Sequence, residues 1–325
     1  MANKKPFRFS VQGFNASSAS AWRETVQKAE GLGYSAFHLA DHYIGPGPAL
    51  EKAAHPVQDV AAVPAMAMAA EATKTIKIGC RVFCTGYRPA PVLIKEAMTI
   101  DFLSEGRLEL GLGAGWITSE YEAMGIPFDS PGKRIKRLEE TVALAKQAMT
   151  GDRLNVQGDY VQVSDYDSVP KPANPKGVPI MIGGGAPRVL KLAGREADIV
   201  SINFNNRSGA IGQDGVGNST HEETRQKVAW IEEGAGDRFD QIELEIGAYF
   251  TVVTDQAQAV AEQFGGMFGL PADEMLRHPH ALFGTVDGIC EELERRREEF
   301  GISYICVPND VAEAFAPVVA RLQGN

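Results

Sequence analysis

The stretch Gly106–Trp116, with the sequence Gly-Arg-Leu-Glu-Leu-Gly-Leu-Gly-Ala-Gly-Trp, organises the predicted fold. Leu108, Leu110 and Leu112 alternate with small or polar residues, and this period of two predicts a β-strand. One face of the strand is leucine, whereas the other face ends in glycines that have no side chain. A strand that loses its side chains at its carboxyl end predicts an open site there, beside the large indole of Trp116.

Strand and helix patterns alternate along the chain on both sides of this stretch. The helical patterns include Ser18–Leu32, Pro56–Thr73 and Pro91–Leu103. Eight strand patterns begin at Phe7, Ala36, Ile76, Arg107, Pro179, Ile199, Ile242 and Tyr304. This alternation predicts an α/β fold with parallel strands, and eight of them favour a (β/α)8 barrel of the TIM type. A doubly wound open sheet is the competing architecture.

The segment after the fourth strand breaks the alternation and predicts a large insertion there. Arg134–Met149 has a helical pattern, and Leu154–Val163, with Gly158 near its middle, predicts a small hairpin. Later in the chain, Asn203–Asn218 is a long loop rich in glycine and asparagine, of a length typical of functional or disordered loops. No composition change marks a linker, so residues 1–325 are predicted to form a single domain.

The composition argues against two classes of partner. The chain has 32 Lys and Arg against 42 Asp and Glu, a formal net charge of −10, whereas nucleic acids and anionic membranes need a basic surface. No apolar run approaches the ~20 residues that span a bilayer. A strand pattern directly follows Met1–Lys5, which does not resemble a secretory signal peptide. We therefore expect a soluble, cytoplasmic protein with no nucleic-acid or membrane partner.

The cysteines and most histidines show no spacing of chemical significance. No Cys-x-x-Cys pair occurs among the four cysteines, which are Cys80, Cys84, Cys290 and Cys306. They are predicted to be buried, reduced and inert, as in a cytoplasmic protein. Three histidines lie beside prolines in loops without ligand spacing: His55, His278 and His280. We expect no metal site.

Polar residues at the ends of the second and third strands are candidates for a site, because parallel α/β folds place their sites at the carboxyl ends of the strands. The second strand ends in Asp41 and His42. Imidazole can donate or accept a proton near neutral pH, although a helix cap or a strand-end hydrogen bond is an equally simple role. His38 shares a face with His42 and is expected to be a hydrogen-bonded filler. Arg81, within an apolar strand, needs a carboxylate partner or an anionic ligand.

The fifth strand ends in three consecutive glycines, Gly183–Gly185, followed by Ala186 and Pro187. Glycines free the backbone, and the proline pre-sets the first helical turn, so exposed amides at the helix start would form an anion site. Arg188 is a cation where the helix dipole disfavours one, which a bound phosphate would explain. A tight turn needed only for packing is the alternative, and we favour phosphate.

The glycines of the fourth strand match a dinucleotide-binding fingerprint poorly. Gly111 and Gly113 occupy its first two glycine positions, but Trp116 stands at the third, and no clear helix follows directly. These glycines are better suited to letting a flat ring approach the backbone.

Together these motifs resemble the bacterial luciferase-like superfamily, and within it the oxidoreductases that use the deazaflavin coenzyme F420. The similarity covers essentially the whole chain, and Asp101–Trp116 carries it most specifically. The other segments that carry it are Phe7–Gln12, Leu39–Tyr43, Ile76–Val82, Glu120 with Gly125, Pro179–Ala186 and Phe283–Thr285. The resemblance implies a TIM barrel, in agreement with the strand pattern.

The resemblance also implies roles for individual residues. Asp41 and His42 would lie against the cofactor ring, and a non-proline cis peptide would join Arg81 to Val82 behind it. The strand-four glycines would line the ring, which corresponds to Gly113, Ala114 and Gly115, with Ser119 nearby. The turn after strand five would hold phosphate, which corresponds to Gly183, Gly184, Gly185 and Ala186, next to Arg188.

The chain departs from this pattern at two places. The sugar-phosphate dehydrogenases of the superfamily carry a glutamate directly after the strand-four glycines, where this chain has Trp116. They also carry a tryptophan shortly after the Asp-His pair, where this chain has Ile44-Gly45-Pro46. These departures argue against a sugar-phosphate substrate. His42, as acid or base, and Trp116 are the candidate catalytic residues.

The sequence therefore predicts an oxidoreductase that moves a hydride between F420 and a small organic substrate, with a homodimer suggested by the resemblance. Arg207 and Arg225, in or near the long loop, are candidates for binding the acidic tail of the coenzyme. An FMN-dependent monooxygenase of the same superfamily is the first alternative. A non-catalytic flavin-binding protein is the second.

Overall fold

The computed structural model describes residues 5–151 and 153–325, so most of the lysine-bearing start of the chain lies outside the described residues. The strands in chain order are β1 Arg8–Gly13, β2 Ala36–Leu39, β3 Lys77–Cys80, β4 Phe83–Cys84, β5 Leu108–Gly113, β6 Arg153–Gln157, β7 Gln162–Asp167, β8 Ile180–Gly184, β9 Ile199–Ile202, β10 Glu243–Gly247, β11 Phe250–Val253, β12 Ala281–Gly284 and β13 Ile302–Pro308.

Helices occupy most of the connections between the strands. They are α1 Ala19–Gly31, α2 Pro48–Ala53, α3 Ala62–Ala72, α4 Ala90–Leu103, α5 Thr118–Ala123, α6 Pro131–Thr150, α7 Pro187–Glu196, α8 Gln213–Gly217, α9 His221–Ala235, α10 Ala257–Phe268, α11 Ala272–Arg277, α12 Val286–Phe300 and α13 Ala312–Leu322, with short 3₁₀ helices at Gly236–Gln241 and Asn309–Val311. In the described part of the chain, none of these helices is both long and apolar enough to cross a membrane.

Eight parallel strands close into a TIM barrel in the order β1, β2, β3, β5, β8, β9, β10, β13. The ring is closed because β3 also pairs with β5, with Ile78 opposite Leu108, and β13 pairs with β1. A closed ring leaves no edge strand, so the doubly wound alternative is wrong. The eight strands predicted from the alternation are confirmed, and the short strand β4 pairs with β5 outside the ring.

The predicted insertion after the fourth barrel strand is confirmed. It contains α5, α6 and an antiparallel hairpin of β6 and β7, with Gly158 directly after β6. A second insertion was not predicted. It lies along the chain between the last two barrel strands, β10 and β13, and contains β11 and β12, which pair in parallel. The helix predicted over Pro56–Thr73 is shorter than expected and begins only at Ala62.

Local signals set several helix ends. Gly33, just past α1, adopts a φ of 85°, the left-handed conformation that glycine tolerates. The hydroxyl of Thr285 accepts a hydrogen bond from the amide of Gly288 and caps α12, as its sequence position predicts. All four cysteines are buried and free.

A polar layer lies inside the barrel around Glu109, which is 2% exposed. His38 Nε2 lies 3.1 Å from Glu109 Oε2, and the hydroxyl of Tyr304 donates to the same oxygen at 2.9 Å. Arg8 forms an ion pair with the other oxygen. Burial alone would raise the pKa of Glu109, but the His38 hydrogen bond and the charge of Arg8 outweigh it and lower that pKa to about 2. His38 is therefore the hydrogen-bonded filler that was expected.

Glu109→Gln is expected to remove an acid-sensitive part of the stability. The folded pKa of about 2 lies below the ordinary value of 4.5, so ionised Glu109 contributes about 3 kcal/mol at neutral pH by linkage. This contribution is complete above pH 4.5 and is lost as the pH falls from there toward 2. Urea unfolding of the wild type and of Glu109→Gln should show that the difference between their free energies of unfolding becomes smaller as the pH falls through this range. A constant difference would contradict the assignment.

Candidate functional site

A cavity of about 1620 Å³ opens at the carboxyl end of the barrel strands. Pockets for a single small ligand usually measure about 300–1,000 Å³, so this cavity has room for a cofactor and a second molecule. Apart from the two candidates for the acidic tail, its lining includes all but one of the site residues predicted from sequence: Asp41, His42, Arg81, Val82, Gly113, Ala114, Gly115, Trp116, Gly183, Gly184, Gly185, Ala186 and Arg188. The exception is Ser119, whose hydroxyl donates to the carbonyl of Ala49 at 2.7 Å and which is not part of the lining.

Val82 forms an apolar ledge between two of the barrel strands. The peptide bond from Arg81 to Val82 is cis, as the resemblance implied. A Cβ atom on Gly113 would lie 2.5 Å from Val82 Cγ2, and one on Gly183 would lie 3.2 Å from Val82 Cγ1. Glycine at these two positions therefore leaves the space that Val82 fills. Val82, Gly113 and Gly183 together form an apolar surface, which we term the ledge. Because neither glycine has a side chain, a flat ring has room to lie against this surface.

Arg81 has the carboxylate partner that its position in an apolar strand requires. Its Nε donates to Glu245 Oε1 at 2.8 Å, and its Nη1 donates to the hydroxyl of Tyr249 at 2.9 Å. Burial would lower the pKa of Arg81, but the Glu245 charge and Tyr249 hold it well above its ordinary value. Tyr249 in turn donates to Asn203 Oδ1 at 3.0 Å, so this chain of contacts ties the ledge to the end of β9.

Asp41 supports the backbone around the ledge. Its Oδ2 accepts a hydrogen bond from the amide of Cys84 at 2.9 Å, and its Oδ1 accepts one from Arg88 at 2.7 Å. Burial raises the pKa of Asp41 in spite of the Arg88 charge. The strand-end hydrogen bond considered from sequence is therefore present.

His42 is held by a carboxylate that the sequence did not assign to it. His42 Nδ1 lies 2.8 Å from Glu120 Oε2, and Glu120, on α5, is fully buried. Glu120 also accepts hydrogen bonds from the amide of Tyr43 at 2.5 Å and from the hydroxyl of Tyr87 at 2.7 Å. Burial would raise the pKa of Glu120, but these donors, His42 above all, lower it. An ionised carboxylate only accepts, so Nδ1 carries a proton and Nε2 is the nitrogen left to exchange one with a substrate.

Three rings of the cavity lining meet and form what we term the aromatic cluster: His42, His55 and Trp116. The ring centroids of His42 and His55 are 4.2 Å apart, and that of Trp116 lies 6.1 Å from His42 and 5.9 Å from His55. His55 Nδ1 donates to the carbonyl of Pro56 at 2.7 Å. Burial, followed by the nearby His42, lowers the pKa of His55 to about 3. His55, which its sequence spacing did not single out, is therefore a neutral imidazole at physiological pH.

The glycine turn after β8 packs against the backbone that follows β9. A side chain on Gly185 would collide with the carbonyl oxygens of Asn203 and Phe204. Lys227 links this backbone to Ser219, because its Nζ donates to the Asn203 carbonyl at 2.8 Å and to the Ser219 hydroxyl at 2.5 Å. Burial lowers the pKa of Lys227 to about 7. The turn is thus fixed with the start of α7 facing the cavity.

Two arginines of the cavity lining have no carboxylate partner. Arg188 and Arg207 form no ion pair among residues 5–151 and 153–325. Arg225, in contrast, lies on α9, pairs with Glu299 and Glu222, and is not part of the lining. Of the two arginines proposed from sequence for an acidic tail, the structure brings only Arg207 to the cavity.

Comparisons with known proteins agree with this architecture. The family of luciferase-like monooxygenases matches residues 6–300. An F420-dependent glucose-6-phosphate dehydrogenase of Amycolatopsis mediterranei (strain U-32) is 33% identical over 176 residues, which are 54% of this chain and 50% of that relative. The chain therefore spans about half the length of that relative in the match.

Solved structures with the same fold cover nearly the whole chain. The coenzyme F420-dependent tetrahydromethanopterin reductase from Methanopyrus kandleri superimposes with a TM-score of 0.77 at 19% identity over 98% of both chains. An F420-dependent secondary alcohol dehydrogenase, in complex with an F420–acetone adduct, gives a TM-score of 0.75 at 17% identity, also over 98% of both chains. At these identities the likeness concerns the fold.

Proposed function

The chain belongs to the luciferase-like monooxygenase family, and from this premise we propose that it is an oxidoreductase transferring a hydride between coenzyme F420 and a small organic substrate. The observation that carries the proposal is that His42, held by the buried Glu120, lines the same cavity as the ledge and the glycine turn. The F420-dependent relative described above supports the choice of cofactor.

The residues of the cavity fit a deazaflavin coenzyme. The ledge of Val82, Gly113 and Gly183 would lie under its flat ring, since no side chain rises from either glycine. Its phosphate would occupy the glycine turn, where the amides at the start of α7 and the unpaired Arg188 favour an anion. Its acidic tail would lie toward Arg207.

The bound coenzyme would supply the hydride chemistry, and the chain would supply orientation and proton transfer. His42 is the acid or base, because Nδ1 is committed to Glu120 and Nε2 can take a proton from a substrate hydroxyl or return it. Glu120 is a positioning residue that fixes the tautomer and orientation of His42. Trp116 borders the same space and limits what can approach Nε2.

An oxygen-dependence assay tests this proposal against an FMN-dependent monooxygenase. Reduced F420 is mixed with the protein and a panel of simple ketones and aldehydes, with and without oxygen. We expect oxidation of the coenzyme that depends on the protein and a carbonyl compound, and proceeds without oxygen. Turnover that requires both FMN and oxygen would contradict the proposal.

Arg207→Ala is expected to weaken the binding of F420 about tenfold, the typical effect of losing one charge-assisted contact. Arg225→Ala is the matched control, because Arg225 is engaged by Glu299 outside the cavity lining, and its affinity should stay unchanged. Titrating the coenzyme's fluorescence measures both. Equal affinities for the two variants and the wild type would show that Arg207 does not bind the tail.

We also infer that residues 1–325 act as one domain and that the protein is a cytoplasmic homodimer, as the resemblance suggests. Large apolar side chains at the end of α4 are available for such a contact, since Phe102 is 58% and Leu103 is 66% exposed. Sedimentation equilibrium should give twice the monomer mass. A monomer at micromolar concentration would contradict this inference.

A further inference from the structure

The aromatic cluster is separate from the cations of the cavity. Among the described residues, none of the four arginines in the lining makes a hydrogen bond, an ion pair or a ring contact with His42, His55 or Trp116; these arginines are Arg81, Arg134, Arg188 and Arg207. Arg81 is paired with Glu245, and Arg134 lies over the ring of Phe128 at 3.9 Å. Arg188 and Arg207 are the two that the proposed function assigns to the coenzyme. No cation is therefore left for a charged substrate beside His42.

The charged group in contact with the aromatic cluster is an anion, the carboxylate of Glu120. Glu120 is fully buried, its pKa is lowered, and it contacts His42 directly. A second anion close to Nε2 of His42 would be repelled by this carboxylate in a poorly solvated site. The electrostatics of the reacting end therefore disfavour a phosphate or carboxylate next to the reacting carbon.

The groups packed around the His42 ring are themselves flat rings. The His42 and Trp116 rings are nearly perpendicular, at 89°, and Phe14 meets His55 edge-on with centroids 5.8 Å apart. Trp116 also packs against an apolar cluster of Ile44, Ala53 and Ile117. Aromatic side chains prefer offset-stacked or edge-to-face contacts with another ring. This corner is shaped for a planar unsaturated group.

We infer that the substrate is an uncharged aryl carbinol or the corresponding aryl ketone, with its ring against the aromatic cluster and its oxygen at His42. This inference rests on the proposed function. In the oxidative direction the carbinol C–H bond breaks and its electron pair leaves with the hydrogen as a hydride to oxidised F420. The O–H bond breaks as its proton passes to Nε2 of His42, and the C=O bond forms. The reductive direction reverses each transfer.

Turnover by the F420-loaded protein tests the substrate class. Three donors are compared: phenylethanol with its hydroxyl on the benzylic carbon, isopropanol and glucose 6-phosphate. We expect kcat/KM for the aryl carbinol to exceed that for each of the others at least tenfold. Trp116→Ala should raise KM for the aryl carbinol by about tenfold or more with a smaller change in kcat, whereas Trp116→Phe, which keeps a ring, should raise KM less than Trp116→Ala does. A preference for glucose 6-phosphate or isopropanol would overturn the inference.

A binding measurement separates this inference from the proposed function. Acetophenone, the product ketone, should quench the fluorescence of Trp116 saturably in the protein without coenzyme, and the saturable part should vanish in Trp116→Phe. Saturable quenching without any F420 turnover would leave the aryl site in place and overturn the proposed function. Turnover of F420 with glucose 6-phosphate and no saturable quenching would keep the proposed function and overturn the aryl site.

Discussion

Replacing His42 with alanine is expected to lower kcat for hydride transfer by about 10²- to 10⁴-fold, the usual contribution of a positioned acid or base. The substrate hydroxyl would lose its proton acceptor, whereas the ledge and the glycine turn would keep their geometry. The affinity for F420 should therefore change only a few-fold. Single-turnover reduction of bound F420 measures the chemical step, and a fluorescence titration measures the affinity.

Two further variants sharpen this prediction. Glu120→Gln keeps the size of the side chain but removes the charge that fixes the tautomer of His42, so kcat should fall less and its pH profile should move. His221 is the matched control: its Nε2 lies 2.7 Å from Glu299 Oε1, a similar histidine–carboxylate pair outside the cavity lining. His221→Ala should leave kcat unchanged. A wild-type kcat in His42→Ala would show that another group moves the proton, whereas no turnover by the wild type itself would show that the protein only binds the coenzyme.

Glu245→Gln is expected to produce the largest loss of stability, about 3–5 kcal/mol in the free energy of unfolding. The buried guanidinium of Arg81 would lose its carboxylate partner, and the amide cannot replace the charge. Because Arg81 directly precedes Val82, the same variant should also weaken F420 binding. Urea unfolding measures the first effect, and coenzyme titration measures the second.

An exposed ion pair gives the control for this stability effect. Lys28 and Glu313 also form an ion pair, but their side chains are 52% and 69% exposed. Exposed pairs contribute at most about 1 kcal/mol, so Glu313→Gln should unfold almost as the wild type does. If Glu245→Gln lost no more stability than this control, the Arg81–Glu245 pair would not support the ledge.

The barrel could be predicted from the sequence because its signals are local. Each strand has its own apolar pattern, and the alternation with helices follows from short-range periodicity, as at Leu108–Gly113. The second insertion, which contains β11 and β12, was not predicted because two helices separate these strands, so no local sequence pattern indicates that they pair. The start of α3 was placed too early because the segment before Ala62 is irregular in spite of its composition.

The site was predicted in part for the same reason. The glycine turn and the Asp41–His42 pair lie at strand ends, where the fold itself indicates a site. Glu120 is 78 residues from His42 along the chain and meets it only in the folded chain, where α5 packs against α2. His55 joins His42 through the loop after α2, and no ligand-like spacing marks it in the sequence. Neither Glu120 nor His55 could be identified from the sequence as a neighbour of His42, because only the tertiary structure brings them together.

A side-by-side titration of the purified protein with F420 and with FMN tests the assignment of the cofactor most directly. Coenzyme fluorescence and thermal stabilisation are followed in the same samples. Saturable, tight binding of F420 with a clear rise in melting temperature, and weak or no binding of FMN, is the result that the ledge, the glycine turn and Arg207 predict. Tight binding of FMN with none of F420 would contradict it.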